Sequence, residues 1–381
     1  MFALARALLR KLRKGRFSYT PLVEVRVSRG ALLHNLRAFW SIKSGLAIAP
    51  VLKSNAYGHG LIEVANIVDD ANVPFLCVDS YFEALVPRNE GIRSPILIIG
   101  YTPLDTILKN QLKNIAFAII SSDELYRLAK NARVPVTIHL KIDTGMHRHG
   151  VKESGVNEAL GLIKANPRIK LQGIYTHLAD ADTPESAHAS KQIGVWNEIV
   201  QRFRESFANL AYYHCAASAG GHLSNNIDAN VLRLGIGLYG MNVSPSPLQL
   251  QPALEMITRI TSTRTLKKGE AVGYNATFTA PRDMAIASIP VGYYEGVDRR
   301  LSNKGAVMIR NTPCPIVGRV SMNITSVDVS HLPDVKLDEP VVVISRRASD
   351  PNSVENIARA CETIPYEILV HIPAHLRRVV V

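Results

Sequence analysis

The spacing of apolar residues changes near residue 245 and divides the chain into two patterns. Before that point, eight short apolar runs alternate with segments in which apolar residues recur every three to four positions. The runs are typical of buried strands, and the segments between them are typical of amphipathic helices. The runs cover residues 46–53, 75–79, 95–99, 115–120, 136–142, 171–177, 210–214 and 232–238. The clearest helical segments cover residues 62–70, 122–132, 155–165 and 186–209.

Consecutive strand–helix units of this number predict a (β/α)8 TIM barrel over residues 29–247, with its functional residues at the carboxyl ends of the strands. Beyond residue 248, short runs alternate between apolar and polar positions, which predicts a second, mainly β domain over residues 248–381. Its runs cover residues 257–265, 285–291, 306–309, 315–317, 324–329, 341–344 and 377–381, and its one helical segment covers residues 353–363. A further alternating run, residues 21–27, precedes the barrel.

The net charge of +12 is unevenly distributed along the 381 residues. Half of it lies in residues 1–16, which contain six cations and no acid. The rest of the chain has neither a basic helix interleaved with aromatic residues nor zinc-finger spacing, so a nucleic-acid partner is not expected. Residues 1–17 form a basic amphipathic pattern, which we interpret as a frayed or packed extension. Contact of this extension with a membrane surface is the lesser alternative.

The four cysteines are far apart and form no CxxC pair, which argues against a disulfide framework or a zinc site. They are Cys77, Cys215, Cys314 and Cys361. No metal is expected, and the cysteine usage is typical of a reducing compartment, so a cytoplasmic location is predicted.

Lys53 stands at the end of the first barrel strand, in the segment VLKSNAYGHG that covers residues 51–60. A lysine at the mouth of an apolar barrel loses hydration, which frees its amine to attack a carbonyl carbon. A single strand-end lysine is otherwise more often solvated. Gly58 and Gly60 break the chain before the next helical segment.

Further polar residues follow later strands. Arg148 lies in a turn within reach of Lys141, and two such cations repel each other unless something neutralises one of them. Gly235 and Ile236 present backbone N–H groups without side-chain interference. Arg233 cannot accept a proton at neutral pH. His177, His214 and Ser218 also stand at strand ends.

These segments, in this order, resemble the alanine racemase family of fold-type III enzymes, which depend on pyridoxal 5′-phosphate (PLP). The resemblance runs from about residue 21 to the C-terminus and includes four further segments. They are GYNATF at 273–278, PVGYYEG at 290–296, VGRVSM at 317–322 and PYEI at 365–368. By this resemblance residues 18–28 join residues 248–381 in the β-rich domain, and the protein is a homodimer whose active sites are shared between subunits.

The resemblance also implies the roles of single residues toward the cofactor. Lys53 carries the PLP, and Arg148 bonds its phenolic oxygen beside Lys141, whose equivalent in the family is often carbamylated. His177 and His214 line the floor of the site, where Arg233 faces the pyridine nitrogen. The phosphate contacts are Tyr57, Ser218, Gly235, Ile236 and Tyr366.

Catalysis in the family needs a proton-transfer residue on each face of the substrate, and the resemblance assigns these roles to Lys53 and to Tyr274 of the other subunit. Because a phenol normally keeps its proton at neutral pH, Tyr274 needs a polarising neighbour, for which His177 is the candidate. Arg148, Tyr293 and the Met322 backbone N–H would contact a small amino-acid substrate.

An arginine at the pyridine nitrogen favours racemisation over bond cleavage, because it cannot keep that nitrogen protonated. The predicted activity is therefore an isomerase that interconverts L- and D-alanine. Serine or a broader range of amino acids is the first alternative, and a decarboxylase or aldolase is the second. A non-catalytic PLP carrier is the third, although carriers of this fold lack the β-rich domain. The chain departs from the family pattern at Ala217, Asn323, Pro365, His147 and His149.

Overall fold

The computed structural model of the protein describes residues 19–242 and 247–381. The predicted extension over residues 1–17 lies outside these ranges. Eight parallel strands form the first sheet in the order β2-β10-β9-β8-β6-β5-β4-β3, with the short β7 beside β6. A parallel bridge between Val51 and Cys77 joins its two ends. The predicted (β/α)8 barrel is therefore confirmed. Its strands are β2 (Ala47–Pro50), β3 (Leu76–Val78), β4 (Ile96–Ile98), β5 (Ile115–Ile119), β6 (Val136–Asp143), β7 (Val151–Lys152), β8 (Ile169–Tyr175), β9 (Tyr212–Ala217) and β10 (Val231–Leu234).

Helices surround the barrel, and four of them begin after a serine whose hydroxyl accepts a backbone N–H of the first turn. These serines are Ser28, Ser80, Ser121 and Ser186. The helices are α1 (Arg29–Trp40), α2 (Leu61–Val68), α3 (Tyr81–Asn89), α4 (Leu104–Leu108), α5 (Ser122–Asn131), α6 (Val156–Ala165) and α7 (Ala187–Ser206). No helix in the described ranges is both long and apolar enough to cross a membrane.

The C-terminal part is mainly β, as predicted. Its largest sheet has the order β17-β16-β19-β11-β1-β20, in which β1 (Glu24–Val27) precedes the barrel in sequence, and a three-stranded sheet has the order β12-β15-β18. Its strands are β11 (Leu254–Arg259), β12 (Ser262–Leu266), β13 (Ala271–Val272), β14 (Phe278–Thr279), β15 (Met284–Ile289), β16 (Ala306–Ile309), β17 (Thr312–Pro315), β18 (Thr325–Asp328), β19 (Pro340–Ile344) and β20 (Arg377–Val380). Two helices, α8 (Val354–Ala360) and α9 (Pro365–Val370), complete it.

Strand β1 (Glu24–Val27) lies inside this C-terminal sheet, antiparallel to β11 and parallel to β20. Val25 and Val27 are fully buried, and the alternate residues Glu24 and Arg26 are half-buried, as the alternating sequence predicts. The chain therefore contributes a strand to this sheet before it enters the barrel.

Two strand predictions need correction. The run 257–265 is not one strand, because β11 ends at Arg259 and β12 begins at Ser262 in a different sheet. The amide of Ile260 still donates to Glu339, whereas that of Thr261 donates to Ser288 of the other sheet. The run 315–317 is also shifted, since the strand there is Thr312–Pro315. Both errors arise because strand pairing, which alternation cannot specify, sets the ends.

Candidate active site

Lys53 follows β2 and begins a turn of left-handed backbone. Ser54, Asn55 and Ala56 have φ/ψ values of 56/52°, 55/45° and 51/50°, and Tyr57 has φ 51°. Each L-residue in this conformation costs about 1–2 kcal/mol, so the surrounding structure must hold the turn in place. The turn delivers Lys53 and Tyr57 to the same end of the barrel, although neither the spacing nor the composition of the segment predicts its handedness.

The Tyr57 phenol lies beside the backbone of Gly235. A Cβ atom built on Gly235 would lie 2.8 Å from Tyr57 Oη and 3.8 Å from Ser218 Oγ. The Tyr366 ring approaches Tyr57 with a centroid distance of 6.0 Å. The structure thus brings four of the five predicted phosphate contacts into one cluster, and the fifth, Ile236, follows Gly235 directly.

Ser218 Oγ accepts hydrogen bonds from the amides of Gly235 and Gly237, at 3.0 and 3.1 Å. Since its lone pairs are used in this way, its own hydrogen is directed toward another acceptor. Hydroxyl groups and backbone N–H groups around a position that has no side chain are a suitable donor set for a phosphate. The residues present therefore fit the phosphate end of PLP.

Substituting Gly235 with alanine is expected to weaken PLP binding at least tenfold, about 1.4 kcal/mol, because the new methyl group would meet Tyr57 Oη at 2.8 Å. Titrating the protein with PLP by absorbance measures the affinity. Gly161→Ala is the matched control, because a Cβ atom there meets nothing within 4 Å. Equal affinity in the Gly235 variant would contradict the phosphate assignment.

Arg233 lies on the floor of the barrel and is 4% exposed. Its Nη1 donates to His214 Nδ1 at 2.7 Å, and its Nη2 donates to the carbonyl oxygens of Thr176 and Cys215. His177 Nδ1 lies 3.2 Å from the same Nη2 atom. The structure thus brings the two predicted floor histidines together with the arginine.

The acceptor role of His214 toward Arg233 fixes the direction of a longer hydrogen-bonded chain. Because Arg233 only donates, His214 Nδ1 carries no hydrogen, and His214 Nε2 donates to His139 Nδ1 at 2.8 Å. His139 Nε2 then donates to Gln172 Oε1 at 3.2 Å. Sequence reasoning missed His139 and Gln172, although their inward positions on β6 and β8 are the signal that could have found them.

All three histidines in this group are held neutral. Burial and the charge of Arg233 lower the pKa of His177 to about 3. Burial lowers the pKa of His139 to about 4, and it lowers the pKa of His214 well below its usual range. Arg233 is thus the only cation of this hydrogen-bonded group at neutral pH.

Because these histidines protonate readily only in the unfolded chain, acid is expected to destabilise the protein. Stability should fall as the pH drops below about 6.5, by about 1–2 kcal/mol for each histidine at pH 5. Thermal unfolding between pH 7 and pH 5 measures this loss. His139→Gln should reduce the dependence on pH, whereas His149→Gln, at an exposed position, should leave it unchanged.

Lys141 is 7% exposed and lies 5.8 Å from the centroid of the Tyr175 ring. Burial, followed by the charge of Arg148, lowers the pKa of Lys141 to about 8. Arg148 itself is exposed, in a turn where His147 Nδ1 approaches Asp143 Oδ2 at 3.3 Å. The amine of Lys141 is therefore uncharged at neutral pH more often than that of an ordinary lysine, which favours the predicted modification.

The remaining site residues stand on the C-terminal part and are exposed, by 69% for Tyr274, 44% for Tyr293 and 55% for Met322. Within residues 19–242 and 247–381, no hydrogen bond or ion pair joins these side chains to the barrel group. Within the described part of one chain, the predicted second proton-transfer residue Tyr274 thus makes no hydrogen bond to this group.

Two departures from the family pattern have a local explanation. Asn323 Nδ2 donates to Glu295 Oε1 at 2.6 Å, so an aspartate here would place two carboxylates together. Pro365 is the first residue of α9, where a backbone N–H is not needed. Nothing in the structure explains Ala217.

Comparison with known proteins agrees with this arrangement. A family model for the N-terminal domain of alanine racemase matches residues 27–243, and one for its C-terminal domain matches residues 253–380. The alanine racemase of Syntrophobacter fumaroxidans is 35% identical over 363 residues, which cover 90% of this chain and 93% of that protein.

Solved structures are similar over nearly the whole chain. An alanine racemase from Clostridium difficile 630 has a TM-score of 0.87 at 28% identity and covers 96% of this chain and 97% of its own. A histidine racemase from Leuconostoc mesenteroides subsp. sake has a TM-score of 0.85 at 26% identity and covers 96% and 99%. The chain therefore belongs to the alanine racemase family of fold-type III, PLP-dependent enzymes.

Proposed function

We propose that this protein interconverts L- and D-alanine by moving the Cα proton between two side chains on opposite faces of the substrate. One observation carries the proposal, namely the buried Arg233, which donates to a neutral His214 at 2.7 Å. A guanidinium only donates hydrogen bonds and cannot keep a ring nitrogen protonated, so this floor favours return of a proton to Cα over cleavage of another bond.

The side chains in the barrel support binding of the cofactor, which when bound supplies an electron sink for the Cα carbanion. Tyr57, Ser218, Ile236 and Tyr366 would hold its phosphate, and Arg148 would bond its phenolic oxygen. Lys53 Nζ would take or return the Cα proton on one face. The neutral His177 and His214 keep the floor free of further cations, as their lowered pKa values indicate.

Tyr274 Oη would exchange the proton on the other face, in the site of a second copy of the chain. Its 69% exposure supports this assignment, because the phenol is free to enter a neighbouring subunit. A homodimer with shared sites follows from the proposal. Tyr293 and the Met322 N–H, which belong to exposed residues of the same C-terminal part, would then contact the substrate.

Three further proposals concern the domain boundaries, the modification of Lys141 and the location of the protein. We propose that residues 29–247 form the PLP-binding domain and that residues 18–28 belong with 248–381, which the position of β1 supports. Lys141 would be carbamylated, and intact-mass measurement of the purified protein tests this. The free, buried thiols of the four cysteines support a reducing, cytoplasmic location.

The test is circular dichroism of L-alanine, L-serine, L-lysine and L-histidine, each incubated with the protein and PLP. The proposal is supported if the circular dichroism signal of L-alanine disappears and alanine has the highest kcat/KM of the four amino acids. Serine is the nearest competitor, since a small pocket rejects one added hydroxyl poorly. Release of CO₂ in place of racemisation would support a decarboxylase, and absence of any reaction would support a carrier.

A further inference from the structure

The left-handed turn after Lys53 has a partner that lies outside the described site. Glu83, in the first turn of α3, directs its carboxylate at the backbone of this turn. Its Oε1 accepts from the amides of Ser54 at 2.6 Å and Asn55 at 3.4 Å, and its Oε2 accepts from the amide of Asp79 at 2.8 Å. One carboxylate thus connects the end of β3 to the two residues that follow Lys53.

The backbone conformation explains why an anion is used there. Successive backbone N–H groups of a turn that point to one side create a small concavity with positive potential. Ser54 and Asn55 form such a concavity, and charge-assisted bonds to a carboxylate are stronger than bonds between neutral groups. Glu83 therefore offsets part of the unfavourable conformation of the turn.

Glu83 is itself held in place from two sides. Its own amide donates to the capping Ser80 Oγ at 3.2 Å, and the next residue, Ala84, is fully buried. The backbone of Glu83 is therefore fixed, and its side chain extends from there to the turn after Lys53. Asn55 Oδ1 accepts from the Leu61 amide at 2.9 Å and secures the other end of the turn to α2.

The turn sets the position of two groups at once, because Lys53 precedes it and Tyr57 ends it. We propose that Glu83 is a positioning residue, which holds the turn so that Lys53 reaches the substrate and Tyr57 reaches the phosphate. This inference rests on the proposed function of Lys53. Glu83 itself would touch neither substrate nor cofactor and would act only through the backbone of Ser54 and Asn55.

Two variants of Glu83 and a matched control test this role. Glu83→Ala removes every acceptor, whereas the isosteric Glu83→Gln keeps one oxygen for Ser54 and places an N–H₂ group against the Asp79 amide. Glu90→Gln is the control, because Glu90 lies just past the end of the same helix and is exposed. Thermal unfolding of all three shows which variants are folded.

The first measurement is hydrogen exchange by mass spectrometry, on the protein with and without PLP. Exchange of the amides of Ser54 and Asn55 should be at least tenfold faster in Glu83→Ala, less affected in Glu83→Gln and unchanged in the control. Unchanged exchange in both Glu83 variants would overturn the inference. If Glu83→Ala does not fold, Glu83→Gln alone decides.

The second measurement is steady-state racemisation. We expect kcat to fall at least tenfold in Glu83→Ala while KM stays within about twofold, because the substrate contacts are elsewhere. Faster exchange with unchanged kcat would overturn the positioning role. A wild-type protein that racemises no amino acid would instead overturn the proposed function, and hydrogen exchange would still test the turn.

Discussion

Replacing Lys53 with alanine should lower kcat for alanine racemisation by at least about 10⁴-fold, because one substitution removes both the attachment of PLP and the proton transfer on one face. Borohydride reduction of the wild-type protein with PLP should leave a stable adduct on the peptide that contains Lys53. The variant should yield no such peptide. It should still bind PLP, more weakly, because Tyr57 and Ser218 remain.

Lys109→Ala is the matched control for this experiment. Lys109 is an exposed lysine after α4, whose only ion pair in the described ranges is with the exposed Asp105. Full activity and an unchanged adduct are expected there. A Lys53 variant that retains more than a hundredth of the wild-type rate would contradict the assignment of Lys53 as carrier and base.

Replacing Tyr274 with phenylalanine should lower kcat/KM by about 10²–10⁴-fold, the usual contribution of one general acid–base group. The loss should be confined to one face of the substrate. In deuterated water, one enantiomer of alanine should exchange its Cα hydrogen at a near wild-type rate, and the other should exchange at least a hundredfold more slowly. Absorbance of the bound cofactor should be unchanged, because the phenol is outside the phosphate cluster.

Tyr126→Phe serves as the control, because Tyr126 is an exposed tyrosine on α5 on the outside of the barrel. Equal slowing of both enantiomers would contradict the assignment of one face to Tyr274. Unchanged exchange for both would indicate that another group supplies the second proton.

Because Tyr274 would act on a second subunit, mixing Lys53→Ala with Tyr274→Phe chains should restore part of the activity. In a mixed dimer, one of the two sites would contain both Lys53 and Tyr274.

The barrel could be predicted from sequence because its strands are buried on both sides and appear as unbroken apolar runs. The run that leads to Lys53 is an example, since Ile48, Ala49 and Leu52 are fully buried. The grouping of Tyr57, Ser218 and Gly235 was also accessible, because each stands at or just after a strand end. Barrel geometry then requires these ends to lie together.

Other features depend on contacts that no local pattern encodes. The left-handed turn needs Glu83, which belongs to the next strand–helix unit. The chain from Arg233 through His214 and His139 to Gln172 crosses three further strands, so only the closed barrel brings it together. The division of the run 257–265 between two sheets is likewise decided by the partners Glu339 and Ser288.

The position of β1 affects the order in which the parts of the protein can fold during synthesis. Val25 lies between Met256 and Arg378, so the strand leaves the ribosome long before either neighbour has been made. Contacts between such distant parts of a chain form late, because closing a long loop costs more entropy. The barrel can therefore assemble before β1 finds its partners. Until translation is complete, β1 is an unpaired strand and a site at which chains can aggregate.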